Sequence, residues 1–226
     1  MPTLLITGSN RGLGLEFVRQ YAAEGWRVYA CCRTPASASE LEALASETVT
    51  VHALDVGDFG AIEALAQELK GVAIDVLINN AGVFGDGSPL GKVNYEVFRK
   101  TLEINTLAPL RMTECFLPHL EAGSLKRIAH VTSRMGSITD NTSGGRYAYR
   151  SSKAALNMAN KSLSQDLGSR ATTVVLHPGW VATDMGGPSA PLQAPESVTG
   201  MRKVIDGLSP EDTGRFYNWD GAILPW

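Results

Sequence analysis

Short apolar runs alternate with stretches of helical periodicity along most of this chain. PTLLIT (2–7) is apolar throughout and stops at Gly8, as a buried strand does. RGLGLEFVRQYAAEG (11–25) then carries apolar residues at helical spacing and ends on a glycine. The alternation continues. WRVYACC (26–32), VTVHALDV (49–56), IDVLINNAG (74–82), KRIAHVTS (126–133) and ATTVVLHPG (171–179) predict strands, and GRFYNWDG (214–221) a short last one. Helices are predicted at 37–47, 59–70, 147–168 and 197–208. A longer helical region covers roughly 94–121, with interruptions expected near Pro109 and Pro118.

Strands that are apolar on both faces and separated by helices predict an α/β fold with a doubly wound, mostly parallel sheet of the Rossmann type. About seven strands are expected, with helices on both faces. No long linker or repeat divides residues 1–226, so one dinucleotide-binding and catalytic domain is expected. DMGGPSAPLQAPES (184–197), rich in Gly, Pro and Ser, is the expected mobile loop.

Composition narrows the class. The net charge of −3 gives no basic patch for nucleic acid or an anionic membrane. No apolar run reaches the ~18–20 residues of a membrane helix. The amino terminus lacks the pattern of a signal peptide, so a cytoplasmic protein is expected. Three cysteines make no disulfide framework, and Cys31 and Cys32 read as strand residues. The histidines show no metal-ligand spacing, and no metal is expected.

Two segments carry chemistry. Thr7–Gly14 (TGSNRGLG) sits between the first strand and the first helix, where glycines admit a pyrophosphate to a positive helix end. Its G-x-x-x-G-x-G spacing differs from the common dinucleotide fingerprint. At the tip of the second strand stands Arg33, with no acid to bind a ribose 2′-hydroxyl. Arg33 and Arg11 together match a 2′-phosphate, which favours NADP(H) over NAD(H).

In GGRYAYRSSKAAL (144–156), Tyr149 has Lys153 four positions on, on the same helical face, whereas Tyr147 has Ser151 there. An ammonium beside a phenol favours proton exchange with an alcohol or carbonyl oxygen. Ser133 closes the fifth predicted strand, where doubly wound sheets bind ligands, and Ser137 competes with it for a substrate-holding role.

With these motifs in order, the whole chain resembles the short-chain dehydrogenase/reductase family. The matching residues are Thr7-Gly8-(x)3-Gly12-x-Gly14, Asp55, Asn79-Asn80-Ala81-Gly82, Asn105, Ser133, Tyr149-(x)3-Lys153 and Pro178-Gly179. SRMGSITDNTSGG, YAYRSSKAALN and HPGWVATDMGG are similar to its C-factor-like and Sniffer-like carbonyl reductase branch. The resemblance implies reversible reduction of an aldehyde or ketone, with Tyr149 as acid/base. Lys153 would lower the tyrosine pKa and bond the nicotinamide ribose, Ser133 would hold the substrate oxygen, and Asn105 would anchor a water in a proton relay. It further implies Gly8, Asn10, Arg11, Gly12, Leu13 and Gly14 around the pyrophosphate. Asp55 and Val56 would lie by the adenine, and Asn80, Ala81 and Gly82 by the ribose. Val181 and Thr183, after Pro178 and Gly179, would hold the carboxamide. Ser133 precedes Tyr149 by more than the family's usual dozen or so residues, while Ser133-Arg134-Met135-Gly136 fits its Ser-x-x-Gly pattern. Phe84, Arg134, Met135 and the 184–197 loop are expected to shape substrate choice. By analogy, the helices near 100–121 and 149–168 would pair in a homodimer or homotetramer. A nucleotide-binding signalling protein of C-factor type is the competing reading.

Overall fold

In the computed structural model, which describes residues 1–226, seven parallel strands form one sheet in the order β3-β2-β1-β4-β5-β6-β7. They are β1 (Thr3–Thr7), β2 (Arg27–Cys32), β3 (Val49–Ala53), β4 (Val76–Asn79), β5 (Arg127–Val131), β6 (Thr172–His177) and β7 (Phe216–Asn218). Even the short last strand joins in parallel, pairing Val175 with Phe216.

Period-two alternation explains why the strands are apolar throughout. Leu4, Ile6, Val28, Ala30, Val76 and Ile78 enter one core, and Leu5, Tyr29, Cys31 and Leu77 enter the other. The two cores hold 24 and 19 buried residues, so both faces need a helical cover. On the first face α1 (Gly12–Ala23) contributes Phe17, Val18 and Tyr21, and α7 (Ala194–Asp206) contributes Val198, Met201 and Ile205. On the second, α3 (Phe59–Glu68) supplies Ile62 and Leu65, and α5 (Ala108–Ala122) supplies Met112, Phe116 and Leu120. The remaining helices are the single turn α2 (Ser39–Glu42), α4 (Tyr95–Leu102) and α6 (Tyr147–Asp166). No helix is long and apolar enough to cross a membrane.

Three expectations change. The helix predicted over 37–47 shrinks to α2 beside a 3₁₀ turn at Pro35–Ser37, because only Leu41 is buried within α2 and little core holds a longer helix. The long region is interrupted near Pro109, as expected, but not near Pro118. Pro109 lies in the first turn of α5, where its missing N–H is tolerated, and Pro118 lies inside α5. The irregularity is a wide turn at Glu103–Leu107, with Ala108 N–H bonding back to Glu103. The segment 184–197, expected to be a mobile loop, is tied down. Ala182 N–H donates to Leu192 O (2.8 Å), Trp180 Nε1 donates to Gly186 O (2.8 Å), and α7 takes its last residues.

Candidate active site

Strand order reverses between β1 and β4, and the crevice at their carboxyl ends holds a cleft of about 670 Å³. Its floor is the glycine turn. Gly8 has a left-handed φ of 69°, and a Cβ there would stand 2.8 Å from Ala81 Cα. A Cβ on Gly14 would meet Gly8 O at 2.1 Å, so only hydrogen fits between the turn and α1. Asn80 locks the turn by donating from Nδ2 to Thr7 O and Gly8 O, both at 3.0 Å, while Thr7 Oγ1 accepts from the N–H groups of Asn80 and Ala81. The first N–H groups of α1 have no acceptor within the helix, and Arg11 at its N-cap makes no side-chain cap. These donors suit a pyrophosphate, and the glycines leave room for it.

Residues expected around a dinucleotide line this cleft: the turn residues Gly8, Asn10, Arg11, Gly12, Leu13 and Gly14 at one end, and Arg33, Asp55 and Val56 at the adenine side. Asn80, Ala81 and Gly82 form its middle, and Tyr149, Lys153, Pro178 and Thr183 its far end. Sequence reasoning missed Thr34 and Ser37, whose hydroxyl-bearing residues lie next to Arg33 along the rim. Their position just after strand β2 was the available signal.

Four predicted residues are placed outside the lining. Gly179 faces Leu192 and Trp219, and the Val181 side chain is buried where its backbone bridges to Leu192. Asn105 and Ser133 are both buried. Arg11, expected beside Arg33 on a phosphate, instead pairs with Asp184 at 2.5 Å across the cleft mouth, both side chains being exposed. Arg33 enters no ion pair.

At the far end, the chain's chemistry converges. Lys153 Nζ lies 5.9 Å from the Tyr149 ring centre, and the Ser133 hydroxyl is near enough to the phenol to act on its proton. Lys153 is held there by donating to Val131 O at 2.8 Å. The two tyrosines separate cleanly: Tyr149 is 7% exposed and Tyr147 36%. The serines separate as well. Ser137 Oγ donates to Trp226 O (3.0 Å) and accepts from Asp140 N–H (3.1 Å), so its hydroxyl is already committed.

Burial governs the protonation of both groups. It pushes the Tyr149 phenol up from its ordinary value, and the neighbouring Ser133 hydroxyl only partly opposes this. The lowering by Lys153 that the resemblance implies is not found in the free protein, where burial decides the direction. Burial alone brings the Lys153 ammonium down to about 8. Tyr149 therefore holds its proton at neutral pH and can deliver it. His130, behind Lys153, is pushed down to about 3 by burial and by the lysine charge, so it stays neutral.

Asn105 acts through structure. Its Nδ2 donates to Val83 O (2.8 Å) and Ser152 Oγ (2.9 Å), and its Oδ1 accepts from Val83 N–H (2.8 Å). The amide is therefore used up in binding the β4 loop to α6. Pro109, four residues on, lacks the N–H that an α-helix would aim at the Asn105 carbonyl.

Phe84 packs its ring 4.6 Å from that of Tyr149, and the Arg146 guanidinium covers Phe84 at 5.1 Å. No motif pointed to Arg146, a non-glycine residue with φ of 50° at the start of α6.

Comparison with known proteins agrees with this geometry. The short chain dehydrogenase family matches residues 2–193. The chain is a short-chain dehydrogenase/reductase. This short-chain dehydrogenase/reductase is 60% identical to the C-signal of Myxococcus xanthus over 154 residues, 68% of this chain and 93% of that protein. The carbonyl reductase Sniffer of D. melanogaster superposes with a TM-score of 0.95 at 38% identity, over the full length of both chains. The NADPH-bound carbonyl reductase from chicken fatty liver gives 0.93 at 36%, covering 100% of this chain and 99% of that one. The enzyme thus belongs to a family of oxidoreductases that act on small molecules, with nicotinamide cofactors bound in neighbouring structures.

Proposed function

We propose that this protein reduces an aldehyde or ketone to an alcohol with NADPH, reversibly. The observation that carries this reading is the buried phenol of Tyr149, flanked by Lys153 at the end of the dinucleotide cleft, with the Ser133 hydroxyl near it. When bound, the nicotinamide supplies the hydride. Tyr149 gives its proton to the substrate oxygen, and Ser133 holds that oxygen by a hydrogen bond. Lys153 stabilises the phenolate left behind. The Asn105 carbonyl, relieved of its helical donor, serves as the anchor for a water that returns a proton toward Lys153. NADPH oxidation against a panel of aldehydes, ketones and quinones tests this. Tight NADPH binding with no turnover on any compound would favour the second reading, a regulatory nucleotide-binding protein, which the 60% identity to C-signal supports.

Arg33, flanked by Thr34 and Ser37, supports a preference for NADPH. A charge-assisted hydrogen bond to the 2′-phosphate contributes about 1.5–3 kcal/mol, so the Michaelis constant for NADPH should be roughly ten- to a hundredfold below that for NADH. Arg33→Ala should remove most of that difference and Arg11→Ala less, since Arg11 already has Asp184. A wild-type preference for NADH would refute the assignment.

The same reading has the protein act as a homodimer or homotetramer through the outer faces of α5 and α6. Leu107, just before α5, and Met158 on α6 are exposed there at 48% and 66%. Light scattering should give at least a dimer at assay concentration, and a monomer would remove this proposal.

A further inference from the structure

Beyond β7 the chain reverses and runs back along the strand. Gly221, with φ of 90°, makes the turn, and Asn218 N–H donates to Ala222 O at 2.7 Å. Tyr217 then bridges antiparallel to Ile223, and Leu224 N–H donates to Phe216 O at 2.8 Å. Leu224 packs on Leu156, Val175 and Phe216, and the Trp226 ring stacks on Phe216 with centroids 5.6 Å apart. This return segment ends on the loop that follows Ser133. The main-chain oxygen of Trp226 accepts from Ser137 Oγ at 3.0 Å and from Thr139 N–H at 2.9 Å.

The loop has two differently held halves. Its inner half is bound to α6, where Asn157 Nδ2 donates to Gly136 O (3.4 Å) and Arg150 Nη1 to Met135 O (3.3 Å). Its outer half is held by Trp226 at Ser137 and Thr139, by Arg134 at Asp140 (2.6 Å) and by Arg150 of α6 at Ser143 (2.9 Å). Ile138 lies between the two residues that Trp226 anchors, and it is 80% exposed despite its apolar side chain. Trp226 itself remains 44% exposed. An isoleucine held outward by bonds on both sides, at the carboxyl edge and five residues from Ser133, is poorly explained by folding alone.

We propose that Trp226 is a positioning residue for substrate recognition. The 222–226 return segment fixes Ser137–Thr139 so that Ile138 presents an apolar wall to the body of the carbonyl substrate. The inference rests on the reductase reading, and it gives the substrate an apolar group, aryl or branched alkyl, next to its carbonyl.

Steady-state kinetics with 4-nitrobenzaldehyde and NADPH, joined to hydrogen exchange of the Thr139 amide, tests the proposal. Trp226→Ala should raise KM for the aldehyde about three- to tenfold, the equivalent of one lost aromatic pair, because without the ring stacked on Phe216 the main-chain oxygen that holds Ser137 and Thr139 is no longer fixed. It should leave kcat and NADPH binding unchanged and speed exchange at Thr139. Trp226→Phe keeps a ring for Phe216 and should restore the wild-type KM. Ser137→Ala should reproduce the KM effect, and the double variant should add little to Trp226→Ala, because both act through one contact. An unchanged KM in Trp226→Ala would overturn the substrate wall, as would a KM rise matched by weaker NADPH binding. Unchanged exchange at Thr139 would overturn the anchoring itself. If the wild-type enzyme turns over no aldehyde or ketone, the reductase reading fails and the wall with it, and Thr139 exchange still decides the anchoring.

Discussion

Tyr149→Phe should lower kcat for carbonyl reduction by about 10²–10⁴-fold, the usual contribution of a positioned general acid. NADPH binding, followed by cofactor fluorescence, should not change. The substitution removes one hydroxyl and keeps the ring that packs on Phe84 at 4.6 Å, so the variant should fold normally. Ser133 would keep the hydrogen bond it accepts from Met135 N–H at 3.1 Å. Tyr147→Phe is the matched control and should retain near-wild-type kcat, because that side chain is 36% exposed and two positions off the lysine's helical face. The opposite pattern, with Tyr147→Phe inactive and Tyr149→Phe active, would show the wrong tyrosine has been assigned.

The second large effect concerns Lys153 and pH. Burial lowers its pKa to about 8, so the ammonium is present below that pH and lost above it. Reduction needs that charge to stabilise the Tyr149 phenolate, and its rate should fall as pH rises through about 8. Alcohol oxidation needs a proton acceptor and should rise over the same interval. Lys153→Met should lower kcat by about 10²-fold or more and abolish this inflection. An unchanged inflection in the variant would assign the titration to another group. The sign for stability follows from the same burial. The folded pKa lies below the unfolded one, so a buried ammonium opposes folding below about pH 8. That penalty is relieved as pH rises from there toward the ordinary lysine value.

Much of the fold was legible in the sequence, because burial on both sheet faces writes itself as unbroken apolar runs. PTLLIT, WRVYACC and ATTVVLHPG each contain the strand they predicted. The 37–47 helix was less legible, since an apolar periodicity says nothing of whether a core exists to receive it. Proline was misleading at 118, though not at 109, for a related reason: its effect depends on where in a helix it falls. Within the site, the glycine turn and the Tyr149–Lys153 spacing are local features, fixed by a strand-to-helix junction and a helical period. The partners of Arg11, Ser137 and Asn105 are not local. Asp184 lies 173 residues from Arg11, and Trp226 lies 89 from Ser137.

The sequence by itself determined the parallel α/β architecture, the family and the pairing of Tyr149 with Lys153. These follow from periodicities of two and 3.6 residues and from short motifs, which neighbouring residues enforce. The tertiary structure decided which serine hydroxyl is free to meet the phenol, what Arg11 binds, and how far each proton is held. Those outcomes depend on desolvation and on contacts between segments far apart in the chain, and only the folded packing brings such segments together.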